Sequence, residues 1–500
     1  MATPIISAIA LDLGTTSIKA GLLDSDGTLN SIVSQPAPEI TANGGRYESD
    51  ALAYAQTAER VLSECVNVKL AQRDLVPLAR LRERDGERVT GMADFIHKGT
   101  MSVNQADGSL PLGLCSQRSS LLIWERASGQ PLTPLISWQD NRGAASCEAL
   151  RDSERLIRKL TGLRLTPYYF APKLRVMLQE HPEWRGRLER GELLVGTLDT
   201  FLIWRWTNGK QHVTDASMAA RTLLMDIRQL QWSPALCDLF GIPVSILPEI
   251  RSSAEMNLPL NIGLTLQASM GDQSAALIAS VGNDDTEALV NLGTGGFVVR
   301  YLKEGEAAQE GYLRTLAYQD TRTHLAIEGT LNSLAAALAP YPAGECRIED
   351  LALEEIFCLA EPSGLGAPYF RNDLGIHFSR SPEQLTSRQI ACLLLEGIIF
   401  RVARILEDMH RTSAIERIYL SGGLSELACL QQGIAQCAPC DVYRLRQKDS
   451  SLQGAALLAA GMASACHKEA EKIEATRNDQ SLQEKYRRWK DWLDGLLGLP

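Results

Sequence analysis

Ile5-Ile6-Ser7-Ala8-Ile9-Ala10-Leu11-Asp12-Leu13-Gly14-Thr15-Thr16-Ser17-Ile18-Lys19-Ala20-Gly21-Leu22-Leu23-Asp24 is an apolar run broken once by small residues. The Ile- and Leu-rich half before Gly14 reads as a buried strand, and Ile18 to Leu23 reads as its return. Gly14, Thr15 and Thr16 form the turn between them. Asp24-Ser25-Asp26-Gly27 then marks a second turn. More than half the chain length further on, Ala288-Leu289-Val290-Asn291-Leu292-Gly293-Thr294-Gly295-Gly296-Phe297-Val298-Val299-Arg300 repeats the same strand, Gly-Thr turn and strand. A hairpin repeated at domain-length spacing points to a duplicated domain.

Between and after the hairpins, strand and helix signals alternate as in α/β domains. Residues 50–70 read as a helix, residues 193–206 as a strand that continues into an amphipathic stretch, and residues 388–409 as a long helix. Residues 469–497 read as one charged amphipathic helix on the outside. Residues 92–113, with Asp94, His97 and Lys98, read as a surface insertion rather than a functional histidine site. The 500 residues exceed one ordinary core, so two domains are expected, 1–278 and 279–500.

The charge balance of −10 carries no nucleic-acid footprint. No apolar stretch reaches the roughly 18 residues of a membrane helix, and the start lacks a basic n-region, so a cytoplasmic protein is expected. Eleven cysteines in a long chain fit a reducing compartment. Cys437 and Cys440 have CxxC spacing, but without a second pair or a His at ligand spacing they read as two half-buried small residues.

Phosphoryl transfer needs positioned phosphates, neutralised charge and an oriented nucleophile. Glycine lets backbone amides approach phosphate closely, which both Gly-Thr turns offer: Gly14, Thr15 and Thr16 in one, Gly293, Thr294 and Gly295 in the other. Asp12, at a strand end, is placed to hold Mg²⁺ through water. Lys19 either neutralises phosphate or is an outward strand lysine. No GxxxxGK[ST] loop is present, which excludes a Walker-type site. Asp272, in Ser269-Met270-Gly271-Asp272-Gln273-Ser274, stands where a strand meets a helix start; it is either the base for a substrate hydroxyl or a plain helix cap. Gly422 and Gly423, after the strand Ile418-Tyr419-Leu420-Ser421, offer a ledge free of side chains for adenosine.

Together these residues resemble the FGGY family of carbohydrate kinases, within the actin/Hsp70-like ATPase superfamily. The resemblance extends to Trp138-Gln139-Asp140-Asn141-Arg142 (W-x-D-x-R), to the run from Leu198 to Gly209, to Val213-Thr214-Asp215-Ala216-Ser217, Trp232 and Leu247-Pro248-Glu249-Ile250, then to Gly271-Asp272-Gln273, Gly366-Ala367-Pro368-Tyr369-Phe370-Arg371 and Leu452-Gln453-Gly454-Ala455-Ala456. It implies an α/β fold of two actin/ribonuclease H-like domains, each a mixed sheet flanked by helices, with an interdomain cleft. It also implies ATP and Mg²⁺ as cofactors and a small sugar or polyol as the partner, with no nucleic acid or membrane; monomer and homodimer stay open.

Glycerol kinases within the family are similar at Gln117-Arg118, Trp124-Glu125 and Pro167-Tyr168-Tyr169-Phe170. Carried over, Arg118, Ser119, Trp138, Tyr168, Asp272 and Gln273 line the acceptor pocket. Ser119 stands where those kinases have a glutamate, which weakens the case for glycerol itself and leaves space for a longer acceptor. Leu427 replaces an asparagine near adenine, the helix after Glu328-Gly329-Thr330 lacks a tryptophan, and residues 335–363 are short. The expected activity is phosphorylation of a glycerol-like polyol first, a ketopentose or aldonate second. The alternatives are a sugar- and nucleotide-binding regulator with little turnover and, last, an Hsp70-like chaperone ATPase, which the acceptor-pocket segments disfavour.

Overall fold

The computed structural model describes residues 6–73, 109–307, 309–465, 468–475 and 480–499. The chain forms two compact units. The first comprises Met1–Gly282, Thr315–Leu325 and Asp449–His467; the second comprises Asn283–Arg314, Ala326–Lys448 and Lys468–Pro500.

In the first unit, a six-stranded mixed sheet is ordered Leu258–Pro259, Leu264–Gly271, Leu110–Ser116, Ile6–Leu13, Ser17–Asp24, Leu29–Pro36. The opening hairpin is antiparallel, with Asp12 opposite Lys19. The three strands at its middle are parallel, and their register aligns Asp12 with Cys115 and Gly271 with Ser116. Residues that follow these strands therefore emerge at one end of the sheet, where open α/β sheets place their chemistry. A five-stranded sheet, Thr41–Asn43, Arg46–Ser49, Leu135–Ile136, Leu121–Glu125 and Leu193–Thr197, delivers Trp138 just beyond its third strand.

The helix Ala51–Arg73 starts where Asp50 Oδ1 accepts the amides of Leu52 and Ala53. Residues 193–206 form the strand Leu193–Thr197 and the helix Leu198–Trp206. That helix is buried almost all round, not amphipathic as expected, because it packs against strands of both sheets. Residues 92–108 lie outside the described residues, but Leu110–Gly113 belongs to no surface insertion. Its apolar run fills the centre of the main sheet in the fully buried strand Leu110–Ser116.

The segment Asp449–His467 joins the first unit through the helix Ser450–Ala459, which packs on the helix Asp272–Val281. A Cβ on Gly454 would stand 1.8 Å from the Ala275 carbonyl oxygen, and one on Gly113 would stand 2.1 Å from that of Ala455. Only glycine allows the helix this close to its neighbours.

In the second unit, Glu287–Leu292 pairs antiparallel with Gly296–Tyr301 and parallel with Arg417–Ser421, whose other neighbour is the parallel strand Asp441–Leu445. The hairpin repeat read from the sequence is thus present. The long helix is Ser387–Thr412, started by Thr386 and Gln389 capping each other's backbone, and it supplies much of the core. The single tail helix expected over 469–497 is instead a strand, Ala470–Lys472, and the helix Ser481–Leu497. Residues 470–472 fill the open hydrogen-bonding edge of Asp441–Leu445, which overrides their helical charge pattern.

Candidate active site

The first unit brings two carboxylates to the end of its parallel strands. Asp12 Oδ2 accepts a 2.6 Å hydrogen bond from Ser451 Oγ, in a helix that arrives 439 residues later. Asp12 Oδ1 is shut off from solvent and has no hydrogen-bond partner of ordinary geometry among the described residues; the adjacent Cys115 thiol donates to the Ser451 carbonyl at 3.4 Å. Burial pushes the Asp12 carboxyl up to about 6, against the Ser451 bond and the slight lowering by the nearby Cys115 thiol, and the charge of Asp272 adds to the rise. A hard divalent cation suits this place. Mg²⁺ binds through one or two carboxylates, water and substrate phosphates rather than a protein cage, and among the described residues no cluster of three His, Cys, Asp or Glu side chains forms one. Lys19 forms a 2.8 Å ion pair with Asp449 and also pulls on Asp12.

Asp272 is the first residue of the helix Asp272–Val281; the cap position itself belongs to Gly271, so the plain cap reading does not describe it. Its side chain is 36% exposed, enough to meet a ligand. Oδ1 accepts the Gln273 amide at 2.8 Å and lies 3.7 Å from Arg118 Nε. Burial raises its carboxyl above the usual range, opposed by Arg118, the Gln273 amide and Arg221. Arg118 also donates to Gln273 Oε1. Its stem runs across Gly271, where a Cβ would stand 2.7 Å from Arg118 Cδ.

Trp138 is 40% exposed, and its indole Nε1 donates to Thr15 Oγ1 at 3.0 Å. Ser119 holds the left-handed φ of 65°. Its hydroxyl donates to the Arg221 carbonyl at 3.0 Å, so it is committed to the backbone. The Tyr168 hydroxyl donates to that of Tyr169, whose ring lies 5.5 Å from the guanidinium carbon of Arg221. Arg118 and Gln273 thus meet Asp272 directly, Trp138 is tied to Thr15 in the turn that follows Asp12, and Tyr168 reaches Asp272 through Tyr169 and Arg221.

Thr16, exposed in the same turn as Gly14 and Thr15, accepts the Ala37 amide on its carbonyl at 3.0 Å, and the remaining sequence candidates lie in the second unit. Gly293, Thr294 and Gly295 form the turn after Glu287–Leu292, closed by the Gly293 amide on the Gly295 carbonyl at 2.8 Å. Gly422, at φ 89°, lies against that strand, where a Cβ would stand 2.4 Å from the Leu292 carbonyl oxygen; Gly423 faces open space. Cys437 and Cys440 are half-buried.

Sequence reasoning missed Ser451, Asp449, Arg221 and Lys173. Lys173 is fully buried, and its ammonium donates to the carbonyls of Ser119 at 2.7 Å and Ser137 at 2.9 Å, fixing the residues beside Arg118 and Trp138. A lysine inside the apolar stretch Phe170-Ala171-Pro172-Lys173-Leu174 was the one available signal.

Residues 90–291 match the N-terminal domain of the FGGY family of carbohydrate kinases and residues 288–463 its C-terminal domain. The glycerol kinase of Saccharolobus islandicus (strain M.16.27) is 30% identical over 473 residues, covering 90% of this chain and 87% of the relative. That of Alkalilimnicola ehrlichii is 32% identical over 479 residues, covering 90% and 89%. Among solved structures, Plasmodium falciparum glycerol kinase with ADP aligns at a TM-score of 0.81 and 23% identity, covering 98% of both chains. Gluconate kinase from Lactobacillus acidophilus aligns at 0.72 and 18% identity, again covering 98% of each. These structural likenesses speak for the fold; the matches along the sequence go further, and the chain belongs to the FGGY family of carbohydrate kinases.

Proposed function

We propose that this chain transfers the γ-phosphoryl group of ATP to a hydroxyl of a small polyol or sugar, with Asp272 as general base. The observation that carries the reading is the placement of Asp12, with one buried carboxylate oxygen unclaimed among the described residues, and Asp272, partly open, at the same end of the two parallel strands that flank Leu110–Ser116. The raised Asp272 carboxyl suits a group that takes a proton from a hydroxyl. Arg118 and Gln273 orient the acceptor, Trp138 covers its carbon edge, and Tyr168 closes the far side. The turns at Gly14 and Gly293 present amides and hydroxyls to phosphate, and Gly422 and Gly423 give adenosine a flat seat. Mg²⁺, held by Asp12, supplies charge neutralisation on the phosphates when bound. In this reading residues 1–278 carry the acceptor pocket and the first phosphate turn, and residues 279–500 the second turn and the adenosine seat.

Glycerol-like polyols lead as acceptors, given the relatives. Aldonates follow, because Arg118 and Arg221 both act on the Asp272 carboxyl and would also attract a substrate carboxylate. The test measures ADP release across glycerol, erythritol, pentuloses, gluconate and a blank without acceptor, with Asp272→Asn beside the wild type. One acceptor should raise ADP release well above the blank, and the variant should lose at least about a hundredfold of that rate. Nucleotide binding without acceptor-dependent release from any compound would favour the regulator.

A further inference from the structure

Between the acceptor wall and the first phosphate turn runs a chain of side chains that the roles above leave unused. The Trp138 amide donates to Ser120 Oγ at 3.0 Å, and Ser120 Oγ donates to Gln117 Oε1 at 2.8 Å. Gln117 Nε2 donates to the Tyr54 hydroxyl at 2.9 Å, and the Tyr54 hydroxyl donates to the Gly14 carbonyl at 2.7 Å. The three internal members are buried.

The direction of every bond follows from the two ends. A carbonyl only accepts, so Tyr54 must give its proton to Gly14. Its oxygen then needs a donor, which turns the amide nitrogen of Gln117 towards it and the amide oxygen towards Ser120. Ser120 gives its proton to that oxygen and is left to accept the backbone N–H of Trp138. No hydroxyl can rotate and no amide can flip without stranding a buried polar atom, so the links hold or fail together. Burial also holds the Tyr54 phenol protonated, as the chain requires. A second bond from the same tryptophan, Nε1 to Thr15 Oγ1, reaches the residue next to Gly14 on the exposed side.

We infer that Tyr54, Gln117 and Ser120 are positioning residues that make the acceptor wall at Trp138 and the phosphate turn at Gly14 one hydrogen-bonded piece, so that order at either is felt at the other. The inference rests on the phosphoryl-transfer reading in taking Gly14 to Thr16 as a phosphate turn. It adds that acceptor and nucleotide binding are coupled, each favouring the other by the same factor.

The test uses the full-length chain with Tyr54→Phe and Ser120→Ala, each of which removes one oxygen. Amide hydrogen exchange without ligand comes first. Tyr54 has no hydrogen bond to residues 137–139, and Thr15→Val removes the indole bond that offers a second route, so in that background faster exchange at Trp138 on adding Tyr54→Phe must be transmitted through Gln117 and Ser120. Unchanged exchange there overturns the inference. Calorimetric titration with Mg·ADP comes second. Ser120→Ala, which has no bond to the phosphate turn, should weaken Mg·ADP about threefold to tenfold, the worth of one hydrogen bond, and should add almost nothing in the Tyr54→Phe background. Additive losses, or none from Ser120→Ala, also overturn it. A wild type that binds no Mg·ADP would sink the kinase reading instead, while the exchange result still decides whether the piece is continuous.

Discussion

Lys173 shows how much one buried side chain can arrange. It clamps two carbonyls, those of Ser119 and Ser137, and burial drives its ammonium from an ordinary 10.5 down to about 7, with Asp140 pulling the other way. Either protonation state keeps two N–H groups for the two carbonyls, so the clamp itself survives the titration. Stability does not escape it. Between about pH 7 and 10.5 the unfolded chain holds a proton that the folded chain has released, so the folded state gains as pH rises across that window. Below pH 7 both states are protonated and the contribution is flat. Chemical denaturation of wild type and Lys173→Met at pH 7, 8, 9 and 10 should therefore diverge, the wild type gaining at most about 1.4 kcal/mol per pH unit over the variant. Parallel profiles would mean that the lysine is not titrating where its burial puts it.

Elements meet here through glycines, and the two kinds of glycine predict opposite outcomes. Gly454 carries the close approach of the helices Ser450–Ala459 and Asp272–Val281, with backbone atoms on the other side. Gly454→Val should cost more than about 3 kcal/mol in denaturant titrations and abolish activity, since it displaces the helix that starts at Asp272. Gly495, inside the helix Ser481–Leu497, faces open space. Gly495→Ala should stabilise by about 0.5–1 kcal/mol; a loss there would mean that the helix end is not as open as its surroundings show. Both hairpins were legible because their signal is local, an apolar run, a Gly-Thr turn and a return. Asp12 and Asp272 were legible for the same reason, standing at strand ends that the sequence displays. Ser451 was not, because its partner Asp12 lies 439 residues away and a serine at a helix start looks like any other. Tyr54 was hidden likewise inside a helix, its only mark a hydroxyl that finds Gly14 through the fold. The strand Leu110–Ser116 was misjudged because the polar residues before it masked an apolar run that alone reads as buried.

At the scale of the whole molecule, the chain does not finish one unit before starting the other. After Lys448 it returns to the first unit as Asp449–His467, then ends in the second as Lys468–Pro500. The first return delivers Ser451 to Asp12 and Asp449 to Lys19. The last stretch closes the second core with Trp489, whose indole donates to the Cys358 carbonyl at 3.0 Å, and with the buried pair of Lys485 and Glu396. Removing the end should therefore act on one unit only. A chain stopped after residue 475 loses the helix Ser481–Leu497 and strands Glu396 as a buried charge without its lysine, a loss of about 3–5 kcal/mol before any apolar exposure is added. Hydrogen exchange of the truncated chain should show the strands Glu287–Leu292 and Arg417–Ser421 losing protection, while Ile6–Leu13 and Leu110–Ser116 keep theirs. A chain stopped after Lys448 removes both returns, and protection should fall in all four strands. If the shorter cut already exposes Leu110–Ser116, the two units open as a single cooperative block, and the first does not hold its own stability.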